Sequence, residues 1–267
     1  MGATSLIVTR NPWVSFPRPN AQARLRFFCF PYAGGAASAF YNWPAELPNY
    51  VEVCPIQLPG RENRMSEPPT MDLLALVQSL FDGIMPLLDK PFVFFGHSMG
   101  AIISFELARR LRRLGRPLPL HLFASGSRAP QFPETKITYN LPELELVETL
   151  KRLNGTPVEV LGNPAWRKAF LPLVRADLAI DETYMYYADA PLDCPITVFG
   201  GTDDKEVLLE ELEGWRSQTR SAFSLSIFSG DHFFLRTSRK PLLRAISKEL
   251  ASVTRDRILS SVRKPHV

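Results

Sequence analysis

Residues 92–113, FVFF-GHSMG-AIISFELARRLRR, constrain this chain most. An apolar run of strand character meets a run of helix formers across five residues that hold two glycines and one serine. A strand can pass into a helix over so short a span only through a sharp turn. In such a Gly-x-Ser-x-Gly turn the serine takes a strained backbone conformation and its hydroxyl projects above the sheet edge. Gly96 and Gly100 leave room where a Cβ would strike the neighbouring strand or helix. The helix N-terminus adds positive potential where negative charge develops. Ser98 is therefore the candidate nucleophile. The plain alternative, an incidental serine in a strand-to-helix turn, does not explain both glycines.

The rest of the chain supplies the setting for such a turn. Apolar runs at 25–30, 51–56, 92–95, 120–124, 196–199 and 225–228 read as strands. Helical patterns fall between them: 38–47, a helix from Met71 capped by Thr70, 99–114 ending at Gly115, 207–217, and a last helix after Ser238. Strand alternating with helix implies a mostly parallel sheet covered on both faces, and the near-continuous apolar strands agree. The interval 128–190 breaks this rhythm. It is rich in proline, carries one helical stripe at Leu144, Val147, Leu150 and Leu153, and a second apolar helical segment at 166–180 perturbed at Pro172. It reads as an inserted helical lid over a core formed by 1–127 and 191–267. The expected architecture is the α/β-hydrolase fold.

In that fold the acid and then the histidine follow the nucleophile in chain order. Three histidines follow Ser98. His121 lies inside a strand pattern and reads as a packed residue, and His266 lies in a polar tail. His232 follows a strand and a glycine-containing turn, at the strand edge where catalytic groups collect in open α/β sheets. It is the candidate general base. The loop ITVFGGTDD offers Asp204, three residues after Gly201, or Asp203, three after Gly200. Asp204, deeper in the turn, is better placed to accept from the imidazole and orient it. Asp203 is the candidate cap of a helix starting near Glu206. Asp231, adjacent to the histidine, reads as a turn residue. Two backbone amides would complete an oxyanion hole: Met99, after the nucleophile, and Ala33 in the loop after the first strand, with Tyr32 and Gly34 as its open alternatives.

Bulk properties narrow the class. The 267 residues are 45% hydrophobic and 22% charged, ordinary for a globular chain able to bury a core. A net charge of +4 is too small for a nucleic-acid binder. No apolar stretch approaches the ~20 residues of a membrane span, and the N-terminal residues lack a signal-peptide pattern. Cys29, Cys54 and Cys194 have neither disulfide nor zinc spacing and read as buried free thiols of a cytoplasmic protein.

Several segments, in order, resemble the type II (editing) thioesterases of polyketide and nonribosomal peptide biosynthesis: FCFPYAGGAASAF (28–40), VEVCPIQLPGRENR (51–64), FFGHSMGAIISFELARRL (94–111), ITVFGGTDDKEV (196–207) with Trp215 downstream, and GDHFFL (230–235). GDH stands where GGH is more usual. The resemblance implies a thioesterase that frees stalled acyl groups from the phosphopantetheine arm of acyl or peptidyl carrier proteins. It implies Ser98, Asp204 and His232 as triad, Ala33 and Met99 as oxyanion donors, 128–190 as a mobile lid, and no cofactor or metal. A monomer is expected. A carboxylester hydrolase or an acyltransferase of the same fold are the alternatives. The basic run from Arg109 to Arg116 admits two readings: a dock for an acidic carrier, or solvated arginines that complement a helix dipole.

Overall fold

The computed structural model describes residues 11–262. His266 and the first ten residues lie outside this range.

Six strands form one sheet: β1 (Leu25–Phe30), β2 (Val51–Pro55), β3 (Phe92–His97), β4 (Leu122–Ser125), β5 (Ile196–Gly201) and β6 (Phe223–Phe228). Their order is β2-β1-β3-β4-β5-β6, and every neighbouring pair is parallel. The chain winds outward from β1 in both directions, as short crossover connections favour. The helices are α1 (Leu73–Ile84), α2 (Met99–Arg113), α3 (Glu143–Leu153), α4 (Val158–Gly162), α5 (Pro164–Glu182), α6 (Leu209–Glu213), α7 (Phe234–Thr237) and α8 (Arg239–Val262).

Side chains alternate across the sheet, and both faces are buried. Phe28, Phe30, Phe94, Leu122 and Val198 pack with α1 and α2 on one side. Phe27, Cys29, Phe95, Phe123 and Phe199 pack with Leu242, Leu243 and Ile246 of α8 on the other. This explains why strands that obey a period of two read as unbroken apolar runs. β6, at the sheet edge, differs: each of its residues is half-buried or exposed. All three cysteines are buried free thiols.

Between β4 and β5 the chain forms α3, α4 and α5, which share a small core of their own built from Leu146, Val147, Leu150, Leu161, Leu171 and Val174. The expected stripe on the first of these helices is shifted by two residues at its start. Leu146 is buried, while Leu144 is 73% exposed, because the helix begins only at Glu143 and Leu144 lies in its first, outward turn. α5 runs through Pro172 as one continuous helix.

Four other sequence expectations shift. α1 starts at Leu73, not Met71, and Asp72 caps it by accepting from the Leu74 and Ala75 amides. Thr70 accepts instead from the Asp72 amide, so it caps the cap. The stretch 38–47 forms two short 3-10 turns, Ala37–Phe40 and Trp43–Ala45, because Pro44 lacks the amide a continuous helix needs. The expected helix over 207–217 is α6 followed by a 3-10 turn. Asp203 caps nothing near Glu206. It accepts from the Thr202 hydroxyl, and Asp204 takes the Glu206 amide.

Candidate active site

Ser98 sits between β3 and α2 with φ +53 and ψ −124, one of three non-glycine residues with positive φ among those described. The cause is local and steric. A Cβ on Gly96 would lie 2.1 Å from the Gly100 carbonyl oxygen, and one on Gly100 would lie 2.3 Å from the Phe30 carbonyl oxygen. The helix can therefore start against β1 and β3 only if both positions are glycine, and the turn strains the residue between them. The Ser98 amide donates to the Ser125 carbonyl at 2.8 Å, which anchors the turn to β4.

His232 lies after β6 and Asp204 after β5, on adjacent loops at the same sheet edge. His232 Nδ1 and Asp204 Oδ2 are 2.9 Å apart. The other Asp204 oxygen accepts from the Glu206 amide at 2.9 Å, which holds the carboxylate in place. Burial pushes the His232 imidazole down, but the hydrogen bond to Asp204 and the charges of Asp204, Glu206 and Asp181 outweigh it. The group ends above the ordinary histidine value. Asp203 faces Thr202 instead. Asp231 accepts from the Phe233 amide in a tight turn, as a residue of that position should.

Ser98 and His232 line one cavity of about 100 Å³. Its wall is charged: Arg128, Lys136 and Arg152 face Glu134, Asp181 and Glu206. Arg128 bridges Glu134 and Asp181, and Arg152 pairs with Glu206. Trp215, far along the chain, donates its indole N–H to the Ser127 carbonyl at 2.9 Å and so props the loop that borders this cavity.

The loop after β1 approaches from the other side. In it the Gly34 amide donates to Asp177 Oδ2, the Gly35 amide to the Tyr32 carbonyl and the Ala37 amide to Gln57 Oε1, each at 2.8 Å. The amides of Ala33 and Met99 have no acceptor among the described residues.

His97, within the serine turn, is a residue that sequence reasoning passed over. It is fully buried, its Nδ1 lies 2.9 Å from Ser125 Oγ, and its ring centroid is 5.3 Å from that of His232. Burial and the neighbouring His232 push its pKa well down, so it stays neutral beside His232. His121 packs on Phe123, with Nε2 2.9 Å from Thr197 Oγ1, far from this chemistry. Among the described residues no group of three or more His, Cys, Asp or Glu is gathered as a metal site.

The profile of the thioesterase domain family matches residues 26–250. The chain belongs to the thioesterase family. It is 46% identical over 249 residues to the gramicidin S biosynthesis protein GrsT of Aneurinibacillus migulanus, covering 93% of this chain and 97% of that protein. It superposes on RedJ, the thioesterase of the prodiginine biosynthetic pathway in Streptomyces coelicolor, with a TM-score of 0.82 and 40% identity, over 86% of this chain and 91% of RedJ. The type II thioesterase BorB from the borrelidin biosynthetic cluster gives a TM-score of 0.79 at 33% identity, over 90% and 96% of the two chains. The α/β-hydrolase fold and a hydrolase acting on thioesters, both expected from the sequence, agree with these relationships.

The basic run on α2 has a third meaning, which neither sequence reading held. Arg109 is buried, pairs with Glu106 on its own helix and stacks near Tyr186. Arg112 pairs with Asp189 at 2.9 Å and donates to the Ala190 and Pro191 carbonyls. Arg110 donates to Gln78 of α1. These arginines fasten α2 to α1 and to the chain entering β5. Arg113 and Arg116, at the end of the run, are exposed.

Proposed function

We propose that this thioesterase frees acyl groups from the phosphopantetheine arm of acyl or peptidyl carrier proteins, acting as an editing enzyme beside a modular synthase in the cytoplasm. Ser98 is the nucleophile, His232 the general base, and Asp204 the group that fixes its tautomer. The observation that carries this reading is Ser98, held at positive φ, in one cavity with a histidine whose Nδ1 is bonded to a buried carboxylate. With Nδ1–H given to Asp204, Nε2 is the free base.

The reaction has two steps. Ser98 Oγ attacks the thioester carbonyl carbon while its proton passes to His232 Nε2. The developing oxyanion accepts from the Ala33 and Met99 amides, both uncommitted within the fold, and the α2 N-terminus adds positive potential. The carrier thiol departs with the proton from His232. Water, deprotonated by the same imidazole, then cleaves the acyl-serine. Residues 128–190, with a core of their own beside the cavity, act as a lid over it.

Hydrolysis of a panel of acyl-carrier proteins tests the assignment. Wild type should release acyl groups, and Ser98→Ala should lose activity by on the order of 10⁴-fold or more, together with labelling by a fluorophosphonate probe. Fast cleavage of p-nitrophenyl esters with inert carrier thioesters would turn the assignment to an ester hydrolase. Transfer of the acyl group to an added alcohol or amine would turn it to an acyltransferase.

A further inference from the structure

Arg61 and Asp177 form the most deeply buried ion pair among those described, with side chains 5% and 2% exposed. Arg61 belongs to the loop after β2, and Asp177 to α5 of the inserted segment. The pairing is two-pronged: Nη1 to Oδ2 at 2.7 Å and Nη2 to Oδ1 at 2.8 Å. Asp177 Oδ2 also accepts from the Gly34 amide at 2.8 Å, and Arg61 Nη1 also donates to the Gly35 carbonyl at 2.8 Å. The pair thus grips the Ala33–Gly34 and Gly35–Ala36 peptide groups, the first of which directly follows Ala33. Gln57 extends the grip. Its Nε2 donates to the Arg61 carbonyl while its Oε1 takes the Ala37 amide, each at 2.8 Å. The loop also fits tightly against α5. Gly34 has φ +73, and a Cβ there would lie 3.0 Å from Phe170 and 3.2 Å from Val174.

So costly a burial of two charges is weak evidence for stability alone. Here Arg61 Nη1 and Asp177 Oδ2 both reach the loop that carries the proposed oxyanion donor Ala33. We infer that Arg61 and Asp177 are positioning residues for the reaction, setting the direction of the Ala33 amide through Gly34 and Gly35. The inference rests on Ala33 being an oxyanion donor. Since Asp177 rides on α5, the pair also ties that donor to the inserted helix: α5 must be seated for the loop to be held.

The test uses the full chain with an acyl-N-acetylcysteamine thioester as substrate and the matching trifluoromethyl ketone as an inhibitor that forms the oxyanion. The variants are Asp177→Asn and Arg61→Lys. Loss of a well-aimed donor should lower kcat by about 100-fold in Asp177→Asn, with KM little changed, and raise the ketone Ki by a similar factor. Arg61→Lys keeps the charge but not the fork, and should show a smaller, parallel loss in kcat and ketone affinity. It decides the matter if the Asn variant fails to fold. Folded variants with wild-type kcat would overturn the proposal. So would a fall in kcat with unaltered ketone affinity, which would mark a structural role only. Retention of full hydrolysis by Ser98→Ala would instead remove the catalytic reading beneath it, whatever the Asp177 variant does.

Discussion

At the scale of single residues, the decisive fact is how Asp204 divides its two oxygens. One accepts from the Glu206 amide and the other takes His232 Nδ1, so the imidazole is locked in one tautomer. The same bond, against the opposing effect of burial, keeps His232 above its ordinary pKa. As the proposed base, His232 must be neutral to act, so activity should fall as pH drops through this raised value. Asp204→Asn should lower kcat by roughly 10³- to 10⁴-fold. It should also move the acid limb of kcat/KM to lower pH, because the Asp204 charge that raises the imidazole most is gone while the desolvation remains. A pH–rate profile of the two proteins checks both. His121 makes the opposite case. Burial pulls its pKa from 6.5 down to about 4. Between those values the unfolded chain binds more protons than the fold, so stability is lost as pH falls through this window, by on the order of 3 kcal/mol at most. Urea unfolding at pH 7 and pH 4.5 should show a smaller acid loss for His121→Gln, which can still reach Thr197 but does not titrate.

At the scale of elements, α2 joins two roles. Its first turn carries Ser98 and the Met99 amide. Its last turns are fastened by arginines to α1 and to the approach to β5. Glu106 is the hub of this fastening. It is buried and receives Arg109, Arg113 and the Tyr184 hydroxyl, the last at 2.7 Å. Glu106→Ala leaves Arg109 buried without its main partner and should cost about 3–5 kcal/mol in chemical unfolding, whereas Arg113→Ala, at an exposed position, should cost under ~1 kcal/mol. The elbow itself was legible in the chain because its cause is local: two glycines, a serine and the switch from strand to helix all lie within a few residues. The first helix boundary was not, because Thr70 and Asp72 are both good caps. In the fold Asp72 meets the Leu74 amide and Thr70 the Asp72 amide.

For the whole molecule, the proposed reaction at Ser98 should be limited by the cavity beside it. That cavity holds about 100 Å³, its lining sets Leu153, Leu178 and Val207 beside the charged side chains, and a long apolar chain would have to displace or desolvate those charges. Short or amino-bearing acyl groups should therefore be released at least ~10-fold faster than dodecanoyl, measured as kcat/KM over an acyl-carrier panel. No helix among the described residues is long and apolar enough to cross a membrane.

What the sequence determined by itself is whatever rests on neighbours in the chain or on a period: six parallel strands with near-continuous apolar faces, the serine turn, and the loops that end in Asp204 and His232. What it left open are pairings between distant residues. Arg61 stands inside a visible QLPGRE segment and Asp177 in an otherwise apolar helical run, yet 116 positions separate them. A lone acid in an apolar helix is a signal that it has a partner, but it does not say which one. The partners of Arg112 were hidden for the same reason: Asp189 and the carbonyls of 190 and 191 lie 77 or more positions away, on the chain entering β5. Local sterics and periodicity are written in order along a chain, whereas the choice of a charge's partner is settled by which segments the packed sheet brings within 3 Å.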